Sequence, residues 1–197
     1  MKNERVEGKK GFRGLLLLPT LLLGVFLEYT GVALLSTLYV DIAATFKVSI
    51  GTATTLSLIS AALGLIMGLA ISAISLKFKH KYLFVSGIAF LCTGILIFFF
   101  APNFAAAELS YFFTGVGAPI VGIMTYTLIG ELFPLEKRGW LVGLTVSTLF
   151  AAYLIVGPLS GYVEGVAGWR AFLLWFSFPL SLVCFGLGLL IIPSIAI

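Results

Sequence analysis

Apolar residues in this chain gather into six long runs, near Leu15–Val40, Thr52–Leu76, Tyr82–Ala101, Ala105–Phe133, Leu141–Val163 and Ala171–Ile192, parted by short stretches rich in Gly, Pro or charge. At 1.5 Å per residue, an α-helix needs about 20 residues to cross a hydrocarbon core, and each run meets that length. A membrane β-barrel would show segments of about 10 residues alternating apolar and polar. No stretch here keeps that alternation. The pattern predicts an all-α membrane protein: a cytoplasmic basic segment over residues 1–14, then six transmembrane helices packed as one bundle over residues 15–197. The first run follows a basic leader but outlasts the roughly 7 to 15 residues of a signal-peptide core, so it reads as a retained helix.

Composition agrees, because charged residues make up 10% of the chain and hydrophobic residues 60%, whereas a soluble domain carries about 25% charged. The net charge of +4 raises the question of a nucleic-acid partner, but Lys and Arg sit in the links between apolar runs. Topology accounts for them, since cytoplasmic loops retain positive charge during insertion. With the N-terminus inside, 10 of the 12 basic residues become cytoplasmic and only Lys47 and Arg170 lie outside. Six spans then return the C-terminus to the cytoplasm, in a multi-pass protein of the cell membrane. Cys92 and Cys184 fall within apolar runs and read as small buried hydrophobes. An enzyme is not expected, for the chain shows no Ser/His/Asp set, no paired metal ligands and no phosphate loop. Neither a metal nor a cofactor is implied. The single histidine, His80, stands among lysines in a loop and reads as solvated.

One charge breaks the first apolar run. Glu28 lies well inside it, flanked by Tyr29 and Thr30, and an acidic residue at a helix centre costs about 2.5–3.5 kcal/mol on insertion scales. It should face the bundle interior and pair, bind or take up a proton, although a structural hydrogen bond between helices would also satisfy it. Tyr126 and Tyr153, each mid-helix, are candidates to line a cavity beside it, with packing as the plainer alternative. Asp41 reads as a solvated residue at the outer end of the first helix, and Glu131 as a cytoplasmic-end residue near Arg138. Gly64 with Gly68, and Gly157 with Gly161, have the four-residue spacing that lets helix backbones approach.

Several motifs point to a family. Gly157-Pro158-Leu159-Ser160-Gly161 in the fifth run combines a missing backbone donor with missing bulk, which permits a bend with close packing. It resembles the antiporter motif of the major facilitator superfamily, with Tyr162 and Tyr153 at two positions where that motif has Gly. Gly168-Trp169-Arg170, followed by Phe172 and Pro179, resembles the family's entry into its sixth helix. Glu131-Leu132-Phe133-Pro134 with Arg138-Gly139 resembles its link between helices four and five. Leu27-Glu28-Tyr29-Thr30 is similar to the Asp-x-Thr pattern of drug-proton antiporters, with Ala33 and Thr37 where that pattern has Asn and Pro. In the stretch Leu76 to Lys81 the family's usual Asp is replaced while positive charge survives, and Tyr111 stands where the family often has Arg four residues before a Gly.

The resemblance implies the N-terminal six-helix half of a secondary transporter, closest to the drug-exporting branches. Its substrate is then a small molecule, with export coupled to protons and two halves enclosing a central site. Glu28, Thr30, Tyr126 and Tyr153 are the expected substrate or proton pathway. Gly157, Pro158 and Gly161 are the packing or gating motif, and Lys77, Lys81, Glu131 and Arg138 are the cytoplasmic gating loops. With the sequence ending at Ile197 before any second bundle, the chain is expected either to be a fragment of a longer transporter or to pair with a second copy or another half. The competing reading is a non-transporting interaction or assembly module, which an apolar exposed face would favour and a polar groove at Glu28 would oppose.

Overall fold

The computed structural model describes residues 2–193, with side chains placed from residue 15 onward. The C-terminal end and the side chains of the basic N-terminal cluster lie outside the described residues. Helix α1 covers Lys2–Phe46. The others are α2 (Ile50–Ile74), α3 (His80–Phe100), α4 (Phe104–Leu132), α5 (Leu135–Ala167) and α6 (Trp169–Ile191), and with Leu15–Phe46 of α1 all six are long and apolar enough to span a membrane.

Local chemistry sets the ends. Lys47, with φ of 55°, takes the left-handed turn that closes α1. The Ser49 hydroxyl then accepts from the Thr52 amide to open α2 at 3.0 Å, and Asn103 Oδ1 accepts from the Ala106 amide to open α4 at 2.9 Å. Pro134 precedes α5, its fixed φ suited to a helix start. A single residue, Gly168, joins α5 to α6 with φ of 80° and ψ of 154°, a conformation that a side chain would strain.

These ends correct the sequence-derived boundaries. The first helix continues past Val40 to Phe46, so Asp41 lies within its last turns, where its carbonyl accepts from Thr45 Oγ1 at 2.7 Å. The fifth helix starts at Leu135 rather than Leu141. Glu136, Lys137 and Arg138 therefore belong to its first turns, because a helix can extend its polar end beyond the hydrocarbon. Hydropathy finds the apolar part of a helix and misses such ends. Within the spans, three buried threonines bond to their own helix: Thr20 donates to Leu16 O, Thr125 to Val121 O and Thr145 to Leu141 O, at 2.7, 2.8 and 2.9 Å.

The helices alternate in direction. Helix α1 packs on α4, α5 and α6, while α4 packs on α1, α2 and α3, and α3 meets α6. Exchanging α1–α3 with α4–α6 reproduces this set of contacts, as expected of two inverted three-helix repeats. One apolar cluster, centred on Leu21, Phe84, Val121 and Met124, fills the bundle toward the lysine-rich end. A second, centred on Leu34, Ile42, Phe98 and Phe172, fills the Arg170 end.

Close backbone approach occurs at glycines other than those flagged by spacing. A Cβ on Gly117 would lie 2.7 Å from Gly87 O and 2.9 Å from Phe90 Cβ, and one on Gly115 would lie 2.9 Å from Ser60 Cα. These crossings bind α4 to α3 and α2. By contrast, nothing lies within 4 Å of a Cβ on Gly64, and the nearest atom to one on Gly68 is 3.9 Å away. For Gly157 and Gly161 the nearest atoms belong to Thr37, at 3.5 and 3.9 Å, so ordinary contact replaces the expected close packing. Helix α5 runs unbroken through Pro158.

Candidate functional site

Glu28 projects from α1 toward α4. A Cβ on Gly122 would lie 3.0 Å from both Glu28 carboxylate oxygens, so the carboxylate rests in room that only glycine leaves. Tyr126 follows Gly122 by one helical turn and so shares its face of α4. Tyr29 of α1 meets Tyr153 of α5 with ring centroids 6.5 Å apart. Tyr126 and Tyr153 are 44% and 39% exposed, so these rings form part of an open surface and are not core packing. The structure therefore brings Glu28, Tyr126 and Tyr153 to neighbouring positions on α1, α4 and α5.

Glu28 also lines a cavity of about 30 Å³ between α1, α3, α4 and α6, with Thr30, Ser110, Tyr111, Thr114 and Ser177 among its walls. Thr30 is buried and donates to Phe26 O at 2.8 Å, so it faces the interior and not the tyrosine surface. Tyr111 is also buried, edge-on to Phe98 at 5.3 Å. Ser177 ends a π-helical stretch, Leu173–Ser177, and its buried hydroxyl has no partner among the described residues. Sequence reasoning missed Gly122 and Ser177. The π-turn leaves no periodic signal, although Pro179, which lacks a backbone donor just beyond it, marks the place where regular bonding fails.

At the lysine-rich end, the expected loop cluster is rearranged. Glu131 has both its carboxylate oxygens 2.9 Å from His80 Nδ1. Arg138 Nε instead donates to Phe133 O at 2.9 Å, which closes its own turn. His80 is the first residue of α3, its side chain is 14% exposed, and its Nε2 lies 3.0 Å from Ser75 O. It is therefore not the solvated loop residue that its lysine neighbours imply. Its two ring nitrogens thus tie the start of α3 to Glu131 of α4 and to the link after α2. Lys81 lies in the first turn of α3 and donates to Leu189 O at 2.6 Å. Of the four residues assigned to gating loops, Lys77 alone lies in a link: Lys81 and Arg138 fall in helices that start earlier than hydropathy placed them, and Glu131 lies in the last turn of α4.

At the opposite end, Arg170 donates to Ala101 O at 2.7 Å and stacks over Trp169 with 4.9 Å to the ring centroid. The Trp169 indole donates to Thr45 Oγ1 at 3.0 Å. These contacts tie α1, α3 and α6 together.

Among curated relatives, the chain is 33% identical over 140 residues to a D-xylose transporter of Levilactobacillus brevis, covering 67% of this chain and 29% of the relative. It is 28% identical over 95 residues to the uncharacterized MFS-type transporter YcnB of Bacillus subtilis (strain 168), covering 48% of this chain and 20% of the relative. A second uncharacterized MFS-type transporter of that organism, YwfA, is 29% identical over 87 residues, covering 41% and 21%. The chain thus spans less than a third of the length of these relatives. The sequence profile of the Major Facilitator Superfamily matches residues 21–195. With that match over nearly the whole chain and six membrane-spanning helices in two inverted triplets, this protein belongs to the Major Facilitator Superfamily.

Proposed function

We propose that this bundle is one half of a secondary transporter for a small molecule, with Glu28 as its proton-coupling group and the face carrying Tyr29, Tyr126 and Tyr153 turned toward a central pathway. The observation that carries this reading is the Glu28 carboxylate, set against Gly122 beside exposed tyrosines on α1, α4 and α5. A pure assembly module would have no use for an ionisable group there, given the cost of burying one in a membrane. In this family such a face is covered by a second six-helix bundle. The lysine-rich end faces the cytoplasm under the positive-inside bias.

The site's chemistry supports one substrate class. A carboxylate among aromatic faces suits export of a cationic or aromatic compound, in keeping with the resemblance to drug-exporting branches. A second reading, uptake of a neutral sugar, is favoured by the relative named as a D-xylose transporter. In proteoliposomes under an imposed proton gradient, flux of aromatic cations and of pentoses is measured for the parent chain and Glu28→Gln. The expected result is gradient-driven flux of one class that Glu28→Gln uncouples from the gradient. Flux of equal size and pH dependence in Glu28→Gln would remove Glu28 from coupling, and native mass spectrometry of a strict monomer would remove self-pairing.

A further inference from the structure

Gly122 differs from the other close-packed glycines in what faces it. A Cβ there would have Glu28 Oε1 and Oε2 at 3.0 Å and Cδ at 3.3 Å as its three nearest neighbours. At the other described glycines where such a contact falls to 3.0 Å or less, the neighbour is an apolar side chain, a hydroxyl or backbone, as at Gly24, Gly94 and Gly117. Packing between helices explains those positions and leaves Gly122 unexplained. The three distances also give the direction of the carboxylate. Its two oxygens are equally near and its carbon lies behind them, so the group points end-on at α4, and residue 122 sets how far a side chain rooted on α1 can reach. Hydroxyls of the adjoining cavity wall bond elsewhere, Thr30 to Phe26 O at 2.8 Å and Thr114 to Ser110 O at 3.1 Å. Gly122 and Glu28 are both half-buried, so their contact lies toward the open face that Tyr126 shares one turn away.

We propose that Gly122 is a positioning residue for Glu28: its missing side chain is the seat that lets the carboxylate reach α4 and holds it beside Tyr126. Filling position 122 drives the carboxylate back along its own axis. Alanine requires a retreat of about 0.4 Å to restore ordinary contact at 3.4 Å, and the branched side chain of valine closes the seat. Shortening the acid to aspartate has the opposite effect, leaving the carboxylate one carbon–carbon bond short of α4 with a gap that alanine at 122 would fill. The role in transport rests on the coupling reading of Glu28. The seat itself does not, so one measurement reads stability and a second reads flux.

Thermal unfolding of the purified chain in lipid discs is the first measurement. Gly130→Val, on the same helix with nothing within 4 Å of its Cβ, controls for the change in helix propensity. The seat predicts a midpoint a few degrees lower for Gly122→Val than for Gly130→Val, and no such difference when both are made on Glu28→Ala, which removes the carboxylate. A difference that persists on Glu28→Ala would assign Gly122 to helix packing, and no difference in the parent would show that the carboxylate is not held there; either overturns the proposal. The second measurement is gradient-driven flux in proteoliposomes. A misplacement of about 1 Å can cost about 10²-fold in a positioned reaction, so Glu28→Asp should lose flux at least about tenfold. Gly122→Ala should lower flux in the parent and raise it several-fold on Glu28→Asp, a reversal of sign that a merely structural glycine would not produce. Loss or no change on both backgrounds would overturn the positioning role. If Glu28→Gln leaves flux unchanged, the coupling reading falls while the unfolding comparison still decides the seat.

Discussion

Replacing Gly117 by Ala tests whether the crossing of α3 and α4 holds the bundle together. The new Cβ would lie 2.7 Å from Gly87 O, 2.9 Å from Phe90 Cβ and 3.0 Å from Leu91 N. Two of these atoms are backbone, so no rotamer change relieves the contact, and bringing the shortest to an ordinary 3.4 Å requires the helices to part by roughly 0.7 Å. A gap of about 0.5–1 Å forfeits a quarter to a half of each dispersion contact along the crossing. Membrane helices have little else to hold them, because lipid tails are as apolar as the side chains they replace. Overpacking of this kind costs about 1–3 kcal/mol, against which the better helix propensity of Ala returns up to about 1 kcal/mol. The expected net loss is about 1–2 kcal/mol, measured as reversible unfolding in mixed micelles of increasing denaturing-detergent fraction. Gly64→Ala, with open space around it, should be neutral or slightly stabilising. Equal midpoints for the two variants would refute the steric argument, and a stabilised Gly117→Ala would show that α3 and α4 are not in contact there.

Two further outcomes follow from the ends of the bundle. A double-mutant cycle of His80→Ala and Glu131→Gln should give a coupling of about 1 kcal/mol, kept modest because Glu131 remains 35% exposed and solvent screens it. Strictly additive effects of the two substitutions would show that the two side chains do not interact. Arg170→Lys should lower unfolding stability by about 1–2 kcal/mol, since an ammonium cannot both reach Ala101 O and keep the planar stack on Trp169. An unchanged midpoint would show that a point charge alone suffices there.

The sequence by itself determined that the chain is a six-helix membrane bundle and that Glu28 is its anomalous residue. Both depend on a one-dimensional property: the length of apolar runs against bilayer thickness, and one charge against that background. Its motifs also identified the family before any contact was known, because Gly, Pro and charge occupy fixed places in the order of helices. Helix ends were less legible. Hydropathy stops where polar residues begin, while α5 begins at Leu135 and carries Arg138 inside its first turns. Only the tertiary structure decided which glycines matter, since Gly64, flagged by its spacing, faces open space while Gly117, which lacks that spacing, meets the backbone of α3. It likewise brought His80 to Glu131 across 51 residues. It also set Ser177 of α6 and Glu28 of α1 at one cavity. Those relations depend on how helices distant in sequence are rotated against one another, and a periodic pattern holds no record of that angle.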